Sequence, residues 1–527
     1  MLASLSPLLT FAALFQQKEW RLDRLREHLR SEGWLTQLAG KSRLILLGIL
    51  CCTGLLLFLY VRFSYIPSLN EQIDDPAFDP QLSLALGMVM AGAFVLLWIG
   101  SFAALSMLQI ILRKQRFPKW TQKALLIVLC ALLLDAFLLL AIPETHLLLP
   151  LTQAPVVFVV WLLLKPLDAF LKERILAKAA RLRASFSHLT VIGITGSVGK
   201  TTTKELLQHV LKQKNPLVTP EHVNSEMGVA QWLLKELPKL DANEPRIMIV
   251  EMGAYRAGEI ALLCEIAKPS LGVLTYIGTQ HLALFGSQQK LMETKGELLQ
   301  ALPSDGHAFI NGDSDLCREI AKTAPCPVTI VGTGGHLDME AFDIEEKSDG
   351  VRFRIKEENI SLPLHGTHQV TNVLLAIAVA EHLGMDLASI ARALKSFAPL
   401  KRTFEVRIEH GVTILDDTHN ASAASFCAAI EWARAQPADK KYLVTSGLIE
   451  LGEEQERTHE RLGADSAGIF EETYFLSAKS AKAFERGLGK PVRILTKNHI
   501  PMLPKNSLLI CIGLVPPSII QKFLPKS

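Results

Sequence analysis

Leu189-Thr-Val-Ile-Gly-Ile-Thr195, Gly196-Ser-Val-Gly199 and Lys200-Thr-Thr-Thr-Lys-Glu205 follow one another without a break. The first piece is apolar and rich in β-branched residues, so it reads as a strand. The second is a tight loop with two glycines in four residues. The third opens a helix expected to run from Lys200 to Gln213. Strand, glycine loop and helix in that order make a phosphate cradle. Glycines let backbone N–H groups approach the phosphates, and a helix N-terminus attracts negative charge. Gly196, Ser197 and Gly199 then form the cradle, Lys200 reaches the terminal phosphates, Thr201 offers a hydroxyl to Mg²⁺, and Thr202 continues the nucleotide site. The strict P-loop spacing is not met, because Ile194 occupies the first glycine position.

Downstream, strands and helices continue to alternate. Arg246–Val250 is an apolar strand that brings Glu251 to its C-terminal edge, where open α/β sheets bind ligands. A carboxylate there can hold Mg²⁺ beside the phosphates. A further strand, Leu271–Tyr276, precedes His281, whose imidazole is a possible metal ligand. Lys295 lies in the next helix. Taken alone, these two are more plainly a loop histidine and a solvated helix charge. Phe342–Ile355 reads as a hairpin turning at Asp349-Gly350. After Pro399 a second βα unit begins, with strands near Val412–Leu415, Tyr442–Thr445, Thr473–Leu476, Val492–Leu495 and Leu508–Ile512. The expected division is a central ATP-binding domain at 189–398 and a smaller Rossmann-like domain at 399–527.

Upstream the chain changes character. Of its 527 residues, 49% are hydrophobic and only 7% aromatic, a balance that points to membrane segments. Apolar stretches at Leu44–Phe63, Leu82–Leu112, Ala124–Ile142 and Leu147–Leu164 reach or approach the roughly 20 residues a helix needs to cross a bilayer. Pro150 and Pro155 interrupt the last. Gln16–Arg43 holds seven basic residues, Ser64–Gln81 holds Glu71, Asp74, Asp75 and Asp79 with no Lys or Arg, and Arg113–Lys123 is basic again. Pro143–His146 carries no basic charge beyond a histidine, and Lys165–Arg183 is basic. Basic loops stay cytoplasmic, so four spans with both ends in the cytosol are expected. The units are then a cytosolic or interfacial segment at 1–43, a transmembrane domain at 44–165 and an amphipathic linker helix at 166–188. This places the catalytic domains in the cytosol, at a bacterial inner membrane. Asp135, inside the third span, is a candidate functional acid. The net charge of +3 argues against a nucleic-acid partner. Eight cysteines without metal or disulfide spacing fit a reducing compartment.

The segment Thr195–Glu205 resembles the nucleotide loop of the Mur ligases, the ATP-dependent amide ligases of peptidoglycan synthesis. The likeness is to the branch that adds D-alanyl-D-alanine to a UDP-linked muramyl tripeptide. It continues in order through Asn224-Ser-Glu-Met-Gly228, Glu251-Met-Gly-Ala-Tyr-Arg-Ala-Gly-Glu-Ile260, His281 before Phe285-Gly286-Ser287, and Lys295-Gly-Glu297. His365-Gly-Thr-His-Gln-Val-Thr-Asn372 and Leu415-Asp-Asp-Thr-His-Asn-Ala421 complete it, so that the resemblance covers roughly 189–462. It implies ATP and two Mg²⁺ ions, with Thr201, Glu251, His281 and a CO₂-derived carbamate on Lys295 as ligands. It also implies Asn372 near adenine, Asp417 on the ribose, Arg402 reaching phosphate, and Asn224 and His459 facing substrate. The implied chemistry is activation of a carboxylate as an acyl phosphate, followed by attack of an amine, with Lys200, Glu251, His281 and Lys295 as the catalytic set.

Three departures bear on the substrates. No residue of 1–187 maps onto the family's soluble UDP-binding domain. Cys511-Ile-Gly-Leu514 stands where the branch has a Lys-Gly-Ser run, and His419 stands where it has tyrosine. The expected function is a membrane-anchored ligase acting on a UDP- or lipid-linked cell-wall precursor and an amino-acid or dipeptide amine. It would contact membrane lipid and, in one reading, other wall-synthesis proteins. A poly-γ-glutamate or polyamide synthetase and a non-catalytic scaffold are the alternatives. A transporter is disfavoured, since the chain lacks a second ATPase unit and an LSGGQ-like signature.

Overall fold

The computed structural model describes residues 2–17, 20, 22, 25–26, 29, 41–63, 80–112, 115–142, 149–240, 247–278, 285, 287–347, 349–419, 421–448, 451, 454–495 and 500–525. They form two compact units, Met1–Leu171 and Lys172–Ser527.

The first unit is helical: α1 (Leu2–Gln17), α2 (Lys41–Phe63), α3 (Pro80–Ile111), α4 (Gln122–Ala141) and the start of α5 (Gln153–Ala184). Among the described residues, α2 to α5 are long and apolar enough to cross a membrane. Leu56, Leu96, Leu140 and Leu163 are 66–86% exposed, a density of bare apolar surface that water would penalise. The opening segment, whose placement the sequence leaves open, packs here as α1. Its Leu8, Phe11 and Phe15 lie among Ile127 and Ala131 of α4 and Val157 and Trp161 of α5. Asp135 of α4 is fully buried and accepts from Gln153 Nε2 at 3.2 Å. The fourth apolar stretch becomes helical only at Gln153. Pro155 then falls in the first turn, where its missing N–H costs no helical bond. The segment 166–188 is not a separate linker helix. The helix runs through Pro166 to Ala184, because helix-forming sequence on both sides outweighs one lost hydrogen bond.

The second unit is α/β. Its larger sheet has the order β2-β3-β1-β4-β5-β6-β7 and is parallel throughout. The strands are β1 (Thr190–Thr195), β2 (Leu217–Val218), β3 (Ile247–Glu251), β4 (Leu271–Leu274), β5 (His307–Asn311), β6 (Val328–Gly332) and β7 (Met339–Glu340). Strand alternation puts Ile192 and Ile194 on one face with Leu206 and Val210 of α6 (Lys200–Val210). Val191 points to the other face, among Val229 and Leu233 of α7 (Glu226–Glu236) and Ile260 and Leu263 of α8 (Glu259–Ala267). α9 (Gln288–Gln300) carries Lys295, and the buried α11 (Val370–His382) carries Asn372. Between them lies α10 (Asp315–Ala321), and α12 (Leu387–Leu394) follows.

The expected hairpin is β8 (Phe342–Lys347) with β9 (Gly350–Ile355), extended by β10 (Glu358–Leu362) into an antiparallel sheet. Gly350 is required there. Its φ is +130°, and a Cβ would sit 2.2 Å from the Leu362 carbonyl oxygen. The remaining sheet has the order β11-β12-β16-β13-β14-β15, parallel except for the edge strand β11. These strands are β11 (Glu405–Glu409), β12 (Val412–Asp417), β13 (Lys440–Thr445), β14 (Glu472–Phe475), β15 (Arg493–Ile494) and β16 (Ser507–Ile512). α13 (Ala423–Ala435), α14 (Gln455–Asp465), α15 (Ala478–Leu488) and α16 (Pro517–Phe523) accompany them.

α14 and α15 cross at glycines. A Cβ on Gly463 would lie 2.1 Å from the Phe484 carbonyl oxygen, and one on Gly487 1.8 Å from that of Glu460. Both obstacles are backbone, so the helices must separate to admit a methyl group. We expect Gly487→Ala to destabilise this lobe by about 1–3 kcal/mol, read as a lowered melting temperature of the purified chain. An unchanged melting curve would refute the close crossing.

Candidate active site

The glycine loop sits at the C-terminal end of β1, held by its neighbours. Ser197 N–H donates to the Tyr276 carbonyl (2.6 Å), and Thr275 Oγ1 donates to the Val198 carbonyl (2.6 Å). Thr195 Oγ1 reaches the Met252 carbonyl beyond β3 (2.9 Å). Gly199, at φ +88°, precedes α6 with no side-chain cap, so the first helical N–H groups keep their capacity for an anion. Cβ atoms are excluded on both sides of the loop. One on Gly196 would meet Thr275 Oγ1 at 2.1 Å, and one on Gly199 would meet Asn372 Oδ1 at 2.4 Å. The Ser197 hydroxyl is buried with no hydrogen-bond partner among the described residues.

Lys200 curls over this loop and donates to the carbonyls of Gly196 (2.8 Å) and Ser197 (3.1 Å). Burial lowers its pKa, opposed by the charge of Glu251. Thr201 Oγ1 donates to Glu251 Oε2 at 3.0 Å, and Asn224 Nδ2 donates to Glu251 Oε1 at 3.1 Å. The hydroxyl and carboxylate expected to hold a metal are therefore already side by side. Thr202 is buried beneath the loop. Asn372 lies against Gly199 and donates to Gln369 Oε1 (2.8 Å), so it packs on the loop rather than capping a helix.

Lys295 is 3% exposed, with Nζ 6.0 Å from the centre of the Phe285 ring. Burial first, and the nearby Lys200 second, bring its pKa down to about 7, against the pull of Glu259 and Glu297. It is not the solvated helix charge that spacing alone suggests. A large fraction is a neutral amine at neutral pH, the nucleophilic form. Glu297 has its own task, accepting from the N–H groups of Gly258 (2.6 Å) and Ala261 (3.0 Å) at the start of α8. His281 lies outside the described residues.

Arg402 and Asp417 form a second group at the end of β12. Arg402 Nε donates to Thr418 Oγ1 (2.8 Å), and its carbonyl accepts from His419 N–H (3.0 Å). Asp417 Oδ1 accepts from Phe404 N–H (3.2 Å) while Oδ2 is buried without a partner among the described residues. Burial pushes the Asp417 carboxyl up to about 6. His459 departs from expectation. It is fully buried, with Nε2 accepting from Leu448 N–H (3.0 Å) and Nδ1 donating to the Gln455 carbonyl (2.7 Å). Both ring nitrogens are used, so His459 props the loop after β13 and does not face a substrate.

Two residues of the site escaped the sequence reading. Lys204 is completely buried, with Nζ 3.5 Å from Glu251 Oε2 and 3.1 Å from the Thr219 carbonyl. Thr219 Oγ1 in turn accepts from Glu251 N–H (3.1 Å). The helical spacing Lys200, Thr201, Lys204 holds a signal for the first, since three or four residues return to the same face.

A glycine loop at the C-terminal end of a central parallel strand, a hydroxyl–carboxylate pair beside it and a second Rossmann-like sheet define an α/β protein with a candidate phosphate site. Residues 194–380 match the Mur ligase middle domain. The UDP-N-acetylmuramoyl-tripeptide–D-alanyl-D-alanine ligase of Synechocystis sp. is 35% identical over 301 residues, 57% of this chain and 64% of that protein. The chain thus spans less than two thirds of that relative's length. The crystal structure of MurF from Acinetobacter baumannii superposes with a TM-score of 0.61 at 26% identity, over 67% of this chain and 81% of that one. MurF from Thermotoga maritima, solved in complex with ADP, gives 0.59 at 28%, over 67% and 83%. Residues 194–380 thus carry a Mur ligase middle domain, and the α/β part of the chain has the fold of a Mur ligase.

Gly199→Ala should strain the left-handed turn and drive a methyl group into Asn372. A cost of about 1–3 kcal/mol in that turn corresponds to roughly 5- to 150-fold weaker binding of a fluorescent ADP analogue. Undiminished binding would show that the loop does not contact the nucleotide.

Proposed function

We propose that this protein is a membrane-anchored, ATP-dependent ligase that joins an amine to a carboxylate on a cell-wall precursor. The observation that carries the reading is the Thr201–Glu251 pair, held at 3.0 Å beside the glycine loop. An alcohol and a carboxylate are hard oxygen donors suited to Mg²⁺, and the partnerless Ser197 hydroxyl and free helix N–H groups suit phosphate. Lys295, near pKa 7, is suited to take up CO₂ as a carbamate, an anionic ligand for a second Mg²⁺ together with His281. Bound Mg²⁺ supplies charge neutralisation at the phosphates.

The chain's residues then have definite tasks. The loop N–H groups orient ATP, and Lys200 moves from the loop carbonyls to the phosphates. An acceptor carboxylate oxygen attacks the γ-phosphorus and ADP leaves, giving an acyl phosphate. The amine attacks its carbonyl carbon, the tetrahedral intermediate expels phosphate, and the nitrogen loses a proton. Catalysis is positioning and electrostatics, as elsewhere in phosphoryl transfer. Asn372, Arg402 and Asp417 hold the nucleotide, and Asn224 orients Glu251. The similarity to D-alanyl-D-alanine ligases favours a D-alanyl-D-alanine dipeptide as the amine and a muramoyl peptide as the acceptor. Four apolar helices precede the catalytic unit, which favours an acceptor presented at the inner leaflet on a lipid carrier.

The direct test supplies purified protein with ATP, D-alanyl-D-alanine and either a UDP-linked or a lipid-linked muramoyl tripeptide. ADP release should require both acid and amine, with the amide product seen by mass spectrometry. ADP release independent of both would end the ligase reading. Equal preference for the soluble acceptor, with or without residues 1–186, would end the lipid-carrier part alone. Lys295→Ala should lose most activity and regain part with formate, which replaces the missing anion. The ¹³C signal of the native carbamate should grow as pH rises through about 7, because the neutral amine is the reactive form. Full activity of the unrescued variant excludes this role. Reporter fusions after Ser68 and after Ser185 should report opposite sides of the membrane; the same side would exclude the four-span topology.

A further inference from the structure

Outside the catalytic group, Glu221, His222 and His419 bring one ligand atom each to within 4.8 Å of one another. Glu221 and His222 belong to the segment after β2, in the larger-sheet lobe. His419 belongs to the segment after β12, in the other. His419 Nε2 lies 3.6 Å from Glu221 Oε1, and His222 Nε2 lies 3.7 Å from the same oxygen. The two imidazole rings are 5.4 Å apart. A tetrahedral Zn²⁺ with ligand bonds near 2.1 Å sets its donors roughly 3.4 Å apart. Two of the three pairs are already close to that figure, and the third lies within 4.8 Å.

We propose that Glu221, His222 and His419 form a Zn²⁺-class site that clips the two lobes together beside the active site. Two imidazoles and one carboxylate suit borderline ions such as Zn²⁺ and Co²⁺ and are a poor set for Mg²⁺ or Ca²⁺. The site is therefore distinct in ligand chemistry from the oxygen-rich pair Thr201–Glu251. Three protein ligands leave a fourth position open to water. The location gives the site leverage. Thr219 and Asn224, which flank Glu221 and His222 in sequence, both hydrogen-bond Glu251, and His419 lies two residues beyond Asp417. A metal there restrains the approach of the two substrate-binding segments without touching the reacting atoms. The tyrosine-to-histidine change at 419 supplies the ligand that makes the set complete.

The test uses the full chain in detergent, stripped with a chelator and held in excess Mg²⁺. Zn²⁺ titrated by calorimetry should bind one ion per chain, and Co²⁺ should give the visible absorption of a four-coordinate site. His222→Ala, His419→Ala and the isosteric Glu221→Gln should each weaken binding at least tenfold, whereas His410→Ala should leave it unchanged. Zn²⁺ should also raise the melting temperature of the native chain and not of the His222→Ala, His419→Ala double variant. No stoichiometric Zn²⁺ binding, or equal binding by the native chain and the double variant, overturns the proposal.

Discussion

The glycine-loop side of the candidate site is registered to one buried carboxylate. Glu251 ends β3 with 5% exposure, and its two oxygens meet Thr201, Asn224 and Lys204 while its N–H meets Thr219. Helix α6 and the stretch from Thr219 to Asn224 are thereby both tied to the end of β3. Such a charge is tolerable inside a protein only when it is paired and hydrogen-bonded, and removing one partner of a buried pair costs about 3–5 kcal/mol. Lys204 is the countercharge, wholly enclosed and itself held by the Thr219 carbonyl. The arrangement holds the Glu251 carboxylate in one place beside the glycine loop.

A second constraint joins the lobes. Glu346 of β8 accepts from Trp432 Nε1 (3.2 Å) and from Gly366 N–H (3.0 Å), and its carboxylate lies 2.7 Å from His365 Nδ1. The antiparallel sheet thus binds the start of the α11 segment and the helix α13 at once. Asn372, a few residues further along that segment, lies against Gly199 of the glycine loop. Asp417 extends the logic from the other side, since its bond to Phe404 N–H fixes the chain where one lobe passes into the next.

The helical unit distributes its apolar side chains differently. In the catalytic unit apolar side chains turn inward, whereas on α2 to α4 many of the largest ones face out. Among the described residues, one cluster of the helical unit's polar groups pairs internally. Ser6 Oγ donates to Gln109 Oε1 (2.6 Å), which also accepts from Arg43 Nη2 (2.8 Å). Pairing of this kind is what a low-dielectric surrounding demands.

Much of this was legible in the chain itself. The β1–loop–α6 sequence, the strand ending at Glu251, the hairpin at Asp349-Gly350 and the apolar helices all follow from local periodicity and glycine placement, which act over a few residues. Nothing local distinguishes Lys295 from a solvated lysine, and the resemblance alone singled it out; its burial beside Phe285 is a tertiary property. The resemblance implied His459 facing substrate, yet packing of α14 against the loop after β13 encloses it. The settings of Lys204 and Thr219 are likewise settled by tertiary packing. Sequence determined which elements form and where glycines must bend them. Tertiary structure decided which side chains lose their water, and it is that loss, summed over neighbours far apart in the chain, that turns ordinary lysines, acids and histidines into a site.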